Sequence, residues 1–63
     1  MNIPRTVKRF RLARGLTQTA LAKKIGVSQA FIAQMETGAY QPSLATLKRL
    51  AKALKVTMAE LVQ

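Results

Sequence analysis

Apolar residues recur along this chain at helical spacing, in five short runs separated by glycine, proline and small polar residues. The first run covers about 4–14. Pro4 opens it, where a missing N–H costs nothing, and Ile3, Val7 and Phe10 mark one side together with Arg14. Gly15 then offers a left-handed terminator. The second run, about 18–25, stands behind a Thr17 cap, presents Leu21, Ala22 and Ile25 on one face, and stops at Gly26. The third, about 29–37, is capped by Ser28, turns Ile32 and Met35 inward and closes at Gly38. The fourth follows Pro42 and a Ser43 cap. Leu44, Leu47, Leu50, Ala51 and Leu54 give it the clearest amphipathic stripe, with Lys48, Arg49, Lys52 and Lys55 on the other side. Thr57 and Glu60 match a capping box for a last short turn, from which Leu61 and Val62 can pack back on the core. Nothing alternates with strand period or carries a hairpin turn. The pattern predicts an all-α bundle of five short helices in a single domain, 1–63.

A core built from 63 residues is marginal, so local signals and tertiary packing must agree. The absence of cysteine excludes disulfides and thiolate metal sites and makes the reducing cytoplasm the expected compartment. Met1-Asn2-Ile3-Pro4 is unlike a signal peptide, and no apolar run is long enough to span a bilayer. Charge changes the picture most. Eleven Lys and Arg face two Glu, for a net charge of +9. A surface built for solubility mixes signs, whereas a one-sided excess points to a polyanionic partner. Nucleic acid is the first choice; a membrane surface or an acidic protein, as for a basic interaction module, is the alternative. Catalysis is not expected. The chain has no His, Cys or Asp, and its Ser, Thr, Tyr and Lys show no nucleophile–base spacing. No metal, cofactor or small-molecule substrate is therefore expected.

The stretch from Gly15 to Gly38 carries the specific signal. It reads as two capped helices joined through Gly26-Val27-Ser28, the helix-turn-helix pattern. Ala22 is small where the helices must approach, Gly26 can adopt the positive φ of the turn, and Val27 is apolar and can plug the space between them.

These residues resemble the lambda-repressor and Cro-like family of phage and bacterial repressors. The resemblance rests on Arg11, Gly15-Leu16-Thr17-Gln18, Leu21-Ala22, Ile25-Gly26-Val27-Ser28-Gln29, Ile32, Glu36 and Gly38. Pro42-Ser43, with Leu47, Leu50, Ala51, Leu54 and Val56, extends it into the fourth helix, and Thr57 to Leu61 into the fifth. The family implies a transcriptional repressor, or an antitoxin-type regulator, that binds near-palindromic duplex DNA as a homodimer, with the third helix in the major groove and no membrane contact. Gln29, Ala30, Phe31 and Gln34 would then meet base edges, a Gln amide suiting adenine and an apolar side chain a thymine methyl. Gln18 and Ser28 would meet phosphate. Where many relatives place a cation after the third helix, this chain has Ala39-Tyr40-Gln41, so backbone N–H groups, Tyr40 and Gln41 would replace it as phosphate contacts, or Lys48 or Arg49 would reach there instead. Arg11 and Glu36 would form a buried ion pair between the first and third helices. Met58, Leu61 and Val62 offer little apolar area for a dimer interface, so pairing on DNA is expected rather than a free dimer.

Overall fold

Every helix begins at a small polar residue whose side-chain oxygen accepts a hydrogen bond from the backbone N–H three residues on. Asn2 accepts from Arg5 (3.1 Å), Thr17 from Ala20 (3.0 Å), Ser28 from Phe31 (3.1 Å), Ser43 from Thr46 (3.2 Å) and Thr57 from Glu60 (3.1 Å). Each bond satisfies a donor that the first helical turn leaves unpaired. The computed structural model describes residues 2–62, so the two ends of the expected domain, 1 and 63, lie outside it. Among the described residues the chain is all-helical: α1 (Ile3–Ala13), α2 (Gln18–Ile25), α3 (Gln29–Glu36), α4 (Leu44–Leu54) and α5 (Met58–Leu61). Asn2 starts α1 one residue earlier than the proline suggests, which places Pro4 in its first turn, still where no N–H is needed. Among the described residues no helix is long and apolar enough to cross a membrane.

The helices close around Val7, Leu21, Ile32, Met35, Leu50, Leu54 and Leu61, all fully buried. α3 packs on α1 and α2, and α4 on α1, α2 and α5. Two expectations from the pattern are corrected. Arg14 does not share the inner side of α1. The residue one turn beyond Val7 is Arg11, which is buried, while Arg14 is exposed and reaches the far end of α4. Leu44 does not join the α4 stripe either: it sits on the first turn with nothing packed over it and is 63% exposed.

Lys55 ends α4 in the left-handed region, at φ 58°, where a side chain is disfavoured and glycine is usual. Arg14 closes that end. Its Nε donates to the Leu54 carbonyl (2.8 Å) and an Nη to the Lys55 carbonyl (3.3 Å), so a guanidinium holds the carbonyls that the helix leaves open.

Candidate nucleic-acid interface

The turn between α2 and α3 sets the angle of the outer helix. Gly26 adopts φ 74°, ψ 36°, and the next amide, of Val27, returns to the Ala22 carbonyl (3.0 Å). Val27 is half-buried against the core. Ile32 and Met35 then anchor α3, and this leaves Ser28, Gln29, Ala30, Gln34 and Thr37 exposed on its outer side.

A chain of polar side chains runs from the core out to this surface. Arg11 lies under α3 with its side chain 8% exposed, and Glu36 faces it at 3%. The guanidinium donates twice to the carboxylate, Nε to Oε2 (2.7 Å) and Nη2 to Oε1 (3.1 Å), and its Nη1 donates to the Leu16 carbonyl (2.7 Å). The buried charge is thereby both paired and hydrogen-bonded. Glu36 Oε1 also accepts from Nε2 of Gln18 (3.1 Å). That bond turns the Gln18 carbonyl outward, where it accepts from Nε2 of Gln29 (2.7 Å). Gln29 is left with its own carbonyl and one N–H pointing away from the network. The ion pair thus orients two amides in series.

The link between Gln18 and Gln29 is the feature that the sequence motifs do not announce. A signal is present: each Gln directly follows a cap, Thr17 or Ser28, so each occupies the first position of its helix, and the turn brings those two starts together. Gln34 lies further along the outer face, and its side chain has no hydrogen-bond partner among the described residues. The Gln34 backbone carbonyl accepts from the Thr37 hydroxyl (2.9 Å) and the Ala39 amide (3.1 Å), closing the C-terminus of α3. Phe31 is half-buried and meets Tyr40 edge-on, with centroids 4.7 Å apart and planes at 61°. The two rings, which the sequence assigns to different contacts, form one unit that fixes the loop after α3. The Ser28 oxygen accepts at the α3 cap, which leaves its O–H to donate elsewhere, and Gln41 is exposed.

The outer face of α3 is uncharged. No Lys or Arg lies anywhere in 25–47, and Glu36 in that stretch is neutralised by Arg11. The cations lie on α1 and its C-cap, on the C-terminal half of α2, and on α4 and its cap. Among the described residues no cluster of His, Cys, Asp or Glu could hold a metal ion.

A helix-turn-helix family model matches residues 7–61. The chain is 37% identical over 62 residues to the immunity repressor protein of Bacillus phage phi105, covering 98% of this chain and 43% of that protein. It thus spans less than half the length of the phage repressor. It is 36% identical over 55 residues to an HTH-type transcriptional regulator of Archaeoglobus fulgidus, covering 87% of this chain and 79% of that one. Among solved structures, it superposes on the restriction-modification controller protein C.AhdI from Aeromonas hydrophila with a TM-score of 0.91, at 30% identity, covering 95% of this chain and 91% of that one. It superposes on SinR, a master regulator for biofilm formation solved in complex with DNA, with a TM-score of 0.90, at 26% identity, covering 97% and 98%. The chain belongs to the helix-turn-helix family of the lambda-repressor and Cro-like kind, a family of DNA-binding transcription regulators and not of enzymes.

Proposed function

We propose that this chain reads duplex DNA by laying α3 in the major groove, and that it acts as a transcriptional repressor. The observation that carries this reading is the state of the Gln29 amide. Adenine presents an N6 donor and an N7 acceptor in the major groove. Matching both takes one carbonyl and one N–H, and these are the groups that the bond to Gln18 leaves unused. Gln29 is held in register before DNA arrives, so less side-chain freedom is lost on binding. Gln34, on the same outer side, supplies a second amide without such restraint. Ala30 and the edge of Phe31 supply apolar contact for a thymine methyl.

Phosphate contacts flank this surface. Gln18 retains one N–H after serving Glu36, and lies at the N-terminus of α2 beside backbone amides that favour an anion. Ser28, Tyr40 and Gln41 supply further donors. These contacts set position and carry no sequence information.

One short helix reads too few base pairs for a unique site, so two copies bind a near-palindromic operator, with half-sites about one helical turn or 34 Å apart. Leu61 is fully buried in its own core, and Met58 and Val62 are half-buried against it. That leaves α5 little free apolar surface for a dimer, which favours pairing on the DNA. Selection from random duplexes tests the reading. The expected result is an enriched near-palindrome that binds two chains. No enrichment over random sequence would overturn it.

A further inference from the structure

Apart from the outer face of α3, the C-terminal ends of α2 and α4 flank an open cleft of about 590 Å³. Lys23 and Lys24 form one wall, Arg49, Lys52 and Lys55 the other, with Ile25, Gly26 and Ala53 between them. A smaller recess of about 160 Å³ shares Lys24 and Lys55 and adds Arg14. Six of the eleven cations of the chain therefore line two adjoining hollows, and no acid lines either. No residue of α3 or of the loop after it takes part. Gln18 begins α2, whereas Lys24 lies six residues along it, about 9 Å further along the helix axis.

Part of this charge has a structural explanation. Cations are favoured at helix C-termini, and two arginines meet that need. Arg49 donates to the Ile25 carbonyl (3.4 Å) at the end of α2, and Arg14 to the Leu54 carbonyl at the end of α4. The four lysines are in excess of it. Among the described residues their ammonium groups have no hydrogen-bond or ion-pair partner. Crowding them into a concave surface raises their mutual repulsion and focuses a positive field into the hollow.

We propose that this cleft binds the phosphate backbone of a second duplex segment, so that one domain holds a read site on α3 and an unread segment at the cleft. Two features favour nucleic acid over an acidic protein. Cations on both walls suit a ridge of regular negative charge, which duplex DNA supplies at about one per 1.7 Å. The lining holds cations and small or aliphatic residues, with no amide, hydroxyl or ring to grip a peptide or to recognise a base. Binding here is therefore insensitive to sequence.

The test uses a donor-labelled duplex bearing the selected site and an acceptor-labelled duplex of random sequence, mixed with the protein at low salt. The wild type should bring them together and give energy transfer. Lys23, Lys24 and Lys52 are exposed and carry no cap or core contact, so the triple variant K23Q/K24Q/K52Q should fold normally. It should weaken capture of the second duplex by roughly tenfold or more and lower the salt slope of capture by about 2 to 3. Its preference for the selected over the random sequence should be unchanged. The variant Q29A/Q34A should do the reverse, losing preference and keeping capture, so failure of the cleft and failure of the reading surface are told apart. Three results would overturn the proposal: no transfer with the wild type; undiminished transfer with the triple variant, which would assign bridging to a protein dimer; or stronger competition for the cleft by an oligo-glutamate peptide than by random duplex, which would assign it to an acidic protein.

Discussion

The outer face of α3 and the cleft between α2 and α4 are made of opposite materials. The first has no cation and presents amides, one of them aimed by a chain of hydrogen bonds that starts in the core. The second has cations and no directional acceptor or amide. A lysine ammonium on a flexible stem attracts any phosphate from any direction. A glutamine amide is worth little unless its donor and acceptor are aligned with a base edge, and then it discriminates. The division teaches that net charge alone locates the wrong surface. The +9 signals a polyanion, but the residues proposed to read one are neutral.

The largest effect should come from breaking the support of the reading face. In Glu36→Ala the Arg11 charge stays buried without a partner, and Gln18 loses the acceptor that orients it. We expect a loss of about 3 kcal/mol of stability, a fall in Tm of roughly 10 to 20 °C. Glu60→Ala, at an exposed cap, should lower Tm far less. Equal melting temperatures for the two would show that the ion pair is not what holds α3.

Next in size are the proposed readers, Gln29 and Gln34. Gln29→Ala and Gln34→Ala should each cost about 1 to 3 kcal/mol on the selected site and much less on random DNA, measured by titration of the two duplexes. Since Gln29 is oriented through Gln18, Gln18→Ala should weaken the selected site as well, and its effect should largely disappear in the Gln29→Ala background. Full additivity of the two would mean that Gln18 acts on phosphate alone.

A single cleft lysine should matter less, and differently. Lys24→Gln should reduce the log–log salt slope by about 0.9 for each phosphate that it ceases to neutralise, and should affect selected and random duplexes alike. An effect confined to the selected duplex would place Lys24 on the reading side and erase the contrast.

Much of the fold is legible in the sequence, because caps and glycines are local signals. Thr17, Ser28, Ser43 and Thr57 each cap the helix that the pattern predicts, and Gly26 takes the φ that the turn requires. What is not legible depends on how far one helix extends past another. Leu44 has the right spacing for the α4 stripe but nothing lies over it, and Arg14 has helical spacing from Phe10 but serves the end of α4. The candidate site divides in the same way. Motif spacing names Gln18, Gln29, Arg11 and Glu36 separately, whereas their connection into one chain is a property of tertiary packing. The cleft escapes the sequence for that reason: Lys23 and Lys52 are far apart along the chain and meet only because α2 and α4 end side by side.

The smallest effect concerns the single acid whose charge is felt at the edge of the basic hollow. The Glu60 carboxyl is held below its ordinary value of 4.5, first by the Thr57 backbone N–H (3.0 Å), then by the Thr57 hydroxyl (3.1 Å), with a lesser attraction from Arg14. A carboxylate with a depressed folded pKa contributes stability that is present above its unfolded value and is lost as pH falls through the folded value. The α5 cap should therefore weaken only below about pH 4.5, where Glu60 takes up a proton. The variant Glu60→Gln keeps an acceptor at the third helical position, as a capping box can, but does not titrate. Comparing the two proteins isolates what the Glu60 charge contributes. The difference in Tm between wild type and Glu60→Gln should favour the wild type at neutral pH and shrink steadily as pH drops below the ordinary carboxylate range. A difference that stays constant with pH would mean that the cap depends on the shape of the side chain and not on its charge. In that case Arg14 gains nothing from Glu60 and adds its full charge to the cleft.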